Sequence, residues 1–360
     1  FTGSTTWSLL AAAAPTLTDL RLLCIPPEHA WDALALGPAV QQTLSQKHPA
    51  FAQLRTLSMH FCDDPAAANA LHHPRGPMEN WASRAAMQFP QLRRLSVRNP
   101  PVDVRAVLGA FVRRKGAALR VLELETTAAL ATHLQPLDIG RHGAGAESVA
   151  VSCVGLGPLG PDRADRLARQ LLGSASQSVR NLKVSVAAQL PVQLGGVSLQ
   201  NCSQLRSLEL RMPVALTDVA AMVQQLPYLW RLKAPYIATA DLPSYEVRSL
   251  DRFYTLMTSE KPKASVSRTL EIIHVGFWDY RHSARALCCH LLHFAVRLPA
   301  LRTIVHDAQP AVALQSAVDA LALIHQRQSR WSPHHNTHSN APWLDNLRDL
   351  RITTHSAKPF

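Results

Sequence analysis

One six-residue phrase, apolar-x-x-apolar-x-apolar, returns eleven times along this chain of 360 residues, and such a recurrence limits the available folds more than any other feature. The copies run Leu17–Leu22, Leu54–Met59, Leu92–Val97, Leu119–Leu124, Ala146–Val151 and Val179–Val184, then Leu205–Leu210, Leu229–Ala234, Ser267–Ile272, Leu301–His306 and Leu347–Ile352. Their starts lie 24 to 46 residues apart, from Leu205 to Leu229 at the closest and from Leu301 to Leu347 at the widest. Fourth and sixth places are apolar and the fifth between them is polar in most copies. That alternation predicts a short strand with one buried face. Leu95, Leu122, Leu208 and Leu350 are therefore expected in the core.

Helical spacing appears between the phrases. Ala284, Leu287, Leu291, Phe294 and Leu298 step by three and four, as do Leu314, Val318, Leu321 and Ile324. Shorter stripes occur at Val104–Phe111 and Val219–Leu226, with Asp103, Thr217 and Asp218 placed for helix N-caps or first-turn acids. A junction then ends the helix and opens the next strand: Phe89-Pro90-Gln91-Leu92, Leu226-Pro227-Tyr228-Leu229, Leu298-Pro299-Ala300-Leu301, and more loosely Ala14-Pro15-Thr16-Leu17. Proline cannot continue a helix, so it punctuates each unit.

Strand plus helix, stacked many times, resembles the leucine-rich repeat, and the resemblance runs from about Leu9 to Ile352. It implies an α/β solenoid of about eleven irregular units, with parallel strands on one face and helices on the other. The whole of 1-360 reads as one such solenoid, a fragment of a longer product, with irregular insertions at about 60-80, 235-265 and 328-342. Two features depart from the pattern. Unit lengths of 24 to 46 are irregular beside the usual ~20–29 residues, and the Asn or Cys expected after the strand occurs in its slot only as Cys62. Irregular units joined by Leu-Pro-x-Leu are most similar to the fungal repeats of F-box-type ubiquitin-ligase receptors. No F-box is legible in the 16 residues before Leu17, so one would have to lie upstream of Phe1. Only eight residues follow Ile352, too few for a helical cap, and the natural product is expected to continue beyond Phe360 or to pair that edge. A single doubly wound domain also alternates strands with helices, but eleven copies of one phrase argue against it.

The second place of the phrase carries most of the functional expectation. It reads Arg55, Arg93, Arg120, Arg180, Arg206, Arg268, Arg302 and Arg348 in eight of eleven copies. Strands stack ~4.8 Å apart, so these arginines should form a row along one rim, able to grip carboxylates or phosphates. The competing reading is a solvated rim whose side-chain stems cover apolar surface. Outward strand positions are Thr56, Ser58, Arg94, Ser96, Asn181, Lys183, Ser207, Glu209, Arg231, Lys233, Thr269 and Glu271. A mixed polar face with few aromatics suits protein recognition better than base stacking. Candidate partner-binding residues are thus the eight row arginines with Arg94, Lys183, Arg231 and Lys233.

Charge agrees with an acidic or polyanionic partner: the net charge is +12, from 37 Lys and Arg against 25 Asp and Glu. No basic block or tail concentrates it. Six scattered cysteines without a CxxC suggest mostly buried thiols in a reducing compartment. The longest early apolar run, Leu9–Ala14, stops at Pro15, short of the ~18 residues of a membrane span and without a basic leader. An intracellular location, cytoplasmic or nuclear, is expected.

Sites for chemistry are weaker. Gly155-Leu156-Gly157-Pro158-Leu159-Gly160 matches GxGxxG after a strand-like Val149–Val154 and before a helical Asp162–Leu172. The acid that should hold a ribose is missing after the strand-like Leu182–Val186, where Ala187-Ala188-Gln189 stands instead. His334, His335 and His338 could share a metal, but no cysteine or carboxylate lies within Ser332–Asn340, and a solvated insertion fits better. Cys289 and His293, four apart beside Cys288 and His290, read as structural thiols and a partly exposed imidazole. GxSxG, HExxH and GxxxxGK[ST] are absent from the sequence. The expectation is a non-enzymatic scaffold with no catalytic, cofactor or metal site. It binds a protein partner, acidic in character, with nucleic acid as the alternative, and neither a membrane nor a small-molecule substrate.

Overall fold

Each described phrase forms a strand because its fourth and sixth side chains are large and apolar while its third and fifth tolerate water. The computed structural model describes residues 9–10, 12–25, 51–62, 89–99, 119–126, 147–153, 159–173, 177–238, 269–277, 300–308 and 349–354. Two compact units are present: residues 1–159 with 170–187, and residues 160–169 with 188–360. The first holds β1 (Asp19–Ile25), β2 (Thr56–Phe61), β3 (Arg94–Arg98), β4 (Val121–Thr126), β5 (Ser148–Cys153) and β6 (Asn181–Val186). These six strands lie side by side in sequence order, all parallel.

The second unit holds β7 (Ser207–Arg211), the two-residue β8 (Val214–Ala215), β9 (Arg231–Ala238), β10 (Ile272–Phe277), β11 (Thr303–Ala308) and β12 (Asp349–Thr354). Its order is β7-β9-β10-β11-β12, again parallel, with β8 pairing the far end of β9. Eleven sequential parallel strands therefore follow the phrases, ten of them as read and the ninth displaced, as a repeat solenoid requires. Parallel neighbours need a crossover each.

Register repeats from strand to strand. Fourth places pair with fourth places, as Leu57↔Leu95, Leu95↔Leu122, Leu122↔Val149 and Val149↔Leu182. First, fourth and sixth places are buried in β2, β3, β4, β6, β7 and β9, and Leu95, Leu122 and Leu208 are wholly so. The side chain of Leu350 lies outside the described set. Burial continues at the eighth place in Phe61, Cys153, Val186 and Met212, so the core is deeper than the six-residue phrase alone implies.

The ninth phrase is a correction. Ile273 pairs with Leu232 and Ile304, and Val275 pairs with Ala234 and His306. The strand copy is therefore Leu270-Glu271-Ile272-Ile273-His274-Val275, three residues downstream of the Ser267–Ile272 reading. The physical reason lies at the first place. Leu270 is fully buried there, as Leu54, Leu92 and Leu229 are in their copies, and a serine would leave that slot unfilled.

The junctions are tight turns. The N–H of Leu92 donates to the carbonyl of Phe89 and that of Leu229 to Leu226, both at 3.2 Å. Proline at the second turn position presets the needed φ. Phe51-Ala52-Gln53-Leu54 and Cys202-Ser203-Gln204-Leu205 make the same turn without proline, at 3.2 and 2.9 Å. The apolar side chains on both sides of each of these four turns are buried.

Two helices are described. α1 (Pro161–Gly173) follows Gly160 with proline at its first position, where the missing N–H costs nothing. Ala164, Leu167, Ala168, Leu171 and Leu172 form its buried stripe. α2 (Leu216–Gln225) buries Val219, Met222 and Val223, as their spacing predicts. Its N-cap is Ala215 with no side-chain cap bond. Asp218 is the first-turn acid that its position predicts, and its Oδ2 also accepts the N–H of Leu194 at 2.8 Å. The stripes at 104–111, 284–298 and 314–324 lie outside the described residues. So do the three insertions, except that 60–62 close β2 and 235–238 close β9.

Candidate functional site

Second-place residues stand just ahead of their strands, and a repeated hydrogen-bond pattern fixes where they sit. The carbonyl of Thr18 accepts the N–H of Arg55 at 2.9 Å and of Thr56 at 3.1 Å. Arg55 does the same for Arg93 and Arg94, Arg93 for Arg120 and Val121, Arg120 for Glu147 and Ser148, and Glu147 for Arg180 and Asn181. In the second unit Arg206 serves Trp230 and Arg231, Trp230 serves Glu271 and Ile272, and Glu271 serves Arg302 and Thr303. One carbonyl has two lone pairs, so each rung satisfies two donors and locks the next unit's register.

The row this ladder builds differs from the expected one. In the first unit it reads Thr18, Arg55, Arg93, Arg120, Glu147, Arg180; in the second it includes Arg206, Trp230, Glu271 and Arg302. Glu271, not Arg268, holds the second place of the ninth phrase. Arg268 lies three residues upstream in sequence and, like Arg348, outside the described residues. Arg55, Arg93, Arg120, Arg180, Arg206 and Arg302 are all exposed, as a rim requires. Glu147 and Trp230 also hold second places, where the sequence expectation rests on arginine alone. Reading the second place of every copy without regard to type would have found both. Among the described residues Trp230 and neighbouring Tyr228 are exposed aromatics, 38% and 57% accessible.

The outward sheet positions carry pairs of opposite charge. Arg94 bonds Glu123 at 2.8 Å and Arg98 meets Glu125 at 3.4 Å across β3 and β4. Glu209 holds both Arg211 on its own strand and Lys233 on β9, the latter at 3.4 Å. All are exposed or half-exposed, so each pair contributes only ~0.2–1 kcal/mol. Arg94 and Lys233, expected as free partner contacts, are thus already paired. Lys183 and Arg231 stand at the fifth and third places on β6 and β9 and make no ion pair among the described residues. The row arginines likewise make none there. Thr269 and Glu271 are not strand-face residues: the Thr269 hydroxyl donates toward the carbonyls of Pro227 and Leu229, 3.0 and 2.9 Å away.

Electrostatic reach decides which rungs act together. Neighbouring rungs ~4.8 Å apart fall within the ~8 Å Debye length at physiological salt, while second neighbours fall beyond it. Arg55, Arg93 and Arg120 therefore form one continuous positive patch. Glu147 offsets only Arg120 and Arg180 beside it.

The remaining motifs have local structural explanations where they are described. Gly160 has open space where a Cβ would be, so it forms no close cradle, and Leu159 before it is buried with its N–H on the carbonyl of Ala187 at 2.9 Å. The other glycines of that motif, His334, His335 and His338, and the Cys288–His293 cluster lie outside the described residues. Among the four described cysteines, Cys153 and Cys202 are buried, Cys62 is half-buried and Cys24 is exposed. Burial pushes the Cys202 thiol up to about 11, which keeps it protonated and unreactive. A shallow groove of about 310 Å³ lies between α2 and residues 194–200. Gln225 in its wall accepts the N–H of Leu199 at 2.8 Å, so this group, with Asp218, serves the fold. Among the described residues no helix is long and apolar enough to cross a membrane.

No protein-family model matches the sequence, and no curated protein is significantly similar to it.

Proposed function

We propose that this protein is a non-enzymatic recognition scaffold of the leucine-rich-repeat kind, holding a protein partner on the outward face of its parallel strands. The observation that carries this reading is the composition of that face. Its charges alternate in sign, Arg94 with Glu123, Arg98 with Glu125 and Lys233 with Glu209. Ser58, Ser96, Asn181 and Ser207 fill positions between them. A mixed, nearly balanced polar surface complements another protein's surface, whereas a uniform polyanion would sit against Glu123, Glu125 and Glu209. In its most specific form the scaffold is the substrate-selecting part of an F-box-type ubiquitin-ligase receptor. The irregular units and the Leu-Pro-x-Leu junction support that form. A second reading, nucleic-acid association, draws on the patch Arg55, Arg93 and Arg120, which makes no ion pair among the described residues.

Photocrosslinkers placed singly at Ser58, Ser96 or Asn181, and at Arg166 on α1 as a control, test the scaffold in native lysate. A protein should be captured from the strand positions and not from Arg166, at low and at raised salt. Capture from all four positions alike, or of nucleic acid alone, would refute it.

A further inference from the structure

We infer that the second-place row of the first unit is a clamp for an acidic helix of the partner protein, with a required order of charges. The inference rests on the scaffold reading and adds the partner's chemistry. Along the rungs from Arg55 to Arg180 the charges run positive, positive, positive, negative, positive, with Glu147 as the fourth. The carbonyl ladder, with bonds of 2.8 to 2.9 Å between these rungs, holds the five backbones in one register, so the order is built in. The four arginines are exposed and make no ion pair among the described residues, whereas the cations beside them on the face, Arg94 and Arg98, are paired with Glu123 and Glu125. With Arg94 and Arg98 paired and Lys183 the one cation of that face without an ion pair among the described residues, the four row arginines are the larger group with which an outside anion can pair.

Spacing selects the shape of that anion. Rungs recur every ~4.8 Å, so five of them span roughly 19 Å. An extended chain advances ~3.3 Å per residue and drifts out of step. An α-helix rises ~1.5 Å per residue, so side chains at i, i+3, i+7, i+10 and i+14 fall ~4.5 to 6 Å apart on one face and span ~21 Å, within about 2 Å of the row. The fitting ligand carries acids at four of these positions and a base opposite Glu147. A phosphate backbone, negative throughout, would meet Glu147 unfavourably.

Fluorescence anisotropy with the full chain tests this, using alanine-glutamine helical peptides with four glutamates and one lysine on one face. Lysine at the fourth face position (or the second, for the opposite chain direction) should bind roughly two- to thirtyfold tighter than lysine at an end, because moving it breaks two exposed ion pairs. Glu147→Lys should abolish the order and favour an all-glutamate peptide. Glu147→Gln should shrink the preference, and Arg93→Glu should weaken every peptide without lowering the melting temperature by more than a few degrees. Equal binding of all peptides by the wild type, or an unchanged order in Glu147→Lys, overturns the clamp; so does tighter binding of oligothymidine than of any peptide. Capture from Ser96 with no peptide discrimination removes the clamp and leaves the scaffold reading standing. Loss of both removes the two together.

Discussion

Cys202 shows how one side chain can tie stability to pH. It opens the turn before β7, 1% accessible, and burial raises its pKa from 9.0 to about 11. Below pH ~9 the thiol is protonated whether the chain is folded or not, and it contributes no pH dependence. Between about 9 and 11 the unfolded chain releases the proton while the native one keeps it, so stability falls as pH rises. The loss attributable to this residue should reach roughly 2 kcal/mol, at ~1.4 kcal/mol per pH unit. Urea melts at pH 8 and pH 11, compared with those of Cys202→Ala, measure it: the variant should lose less over that interval. At the same scale, Leu95→Ala should cost about 2–5 kcal/mol because Leu95 is wholly buried. Arg93→Gln, two residues away on the exposed rim, should stay within ~0.5 kcal/mol. Equal effects would mean that the alternation of inside and outside is wrong.

Side chains from both described helices hold the chain between β6 and β7. Asp165 of α1 accepts the N–H of Gln193 at 2.9 Å, and Arg169 donates to that residue's carbonyl at 3.0 Å. From α2, Asp218 and Gln225 take the N–H groups of Leu194 and Leu199. Beyond the Val192↔Val214 bridge and the contact of Ala187 with Leu159, the described backbone from Gln193 to Leu199 depends on acceptors borrowed from the helices. Removing one leaves a donor unmet beside a buried leucine. Gln225→Ala should therefore destabilise by about 1–3 kcal/mol and speed hydrogen exchange at Leu199 while sparing the β3–β4 amides. Uniform acceleration would mean that the segment unfolds only with the whole unit. Two strands bend where the ladder slips: on β1, Leu23 and Cys24 oppose His60 alone, with Cys24 at φ 55, and on β9, Pro235 and Tyr236 oppose Gly276. A bulge absorbs an extra residue, and a proline with no N–H is tolerated there.

For the whole molecule the row and the face make separable contributions to binding. Changing Arg93, Arg120, Arg206 and Arg302 together to Gln should leave the circular-dichroism spectrum unchanged and the melting temperature nearly so, since all four are exposed. A protein partner should then associate more slowly and with less salt dependence, retaining affinity from the sheet face. A nucleic-acid ligand should instead show a flatter log-salt slope, by roughly 0.9 for each phosphate contact removed. Unaltered affinity and salt response toward every partner would reduce the row to a solvated edge.

Most of the strand architecture was legible in the sequence, because burial on one face of a strand imposes a period of two that local composition displays. Ten of the eleven phrases lie in the register read from them, and the buried stripe of α2 follows from spacing alone. Tertiary structure decided the ninth register. Two overlapping stretches, Ser267–Ile272 and Leu270–Val275, offered comparable patterns, and only pairing with β9 and β11, with Leu270 filling the buried first place, chose between them. That choice replaced an arginine by Glu271 in the row. Ion pairs were equally beyond the sequence: Arg94 and Glu123 stand 29 residues apart and meet only because parallel stacking sets their strands side by side. Local sequence encodes which side of a strand is dry; which charges become neighbours is a property of the stack.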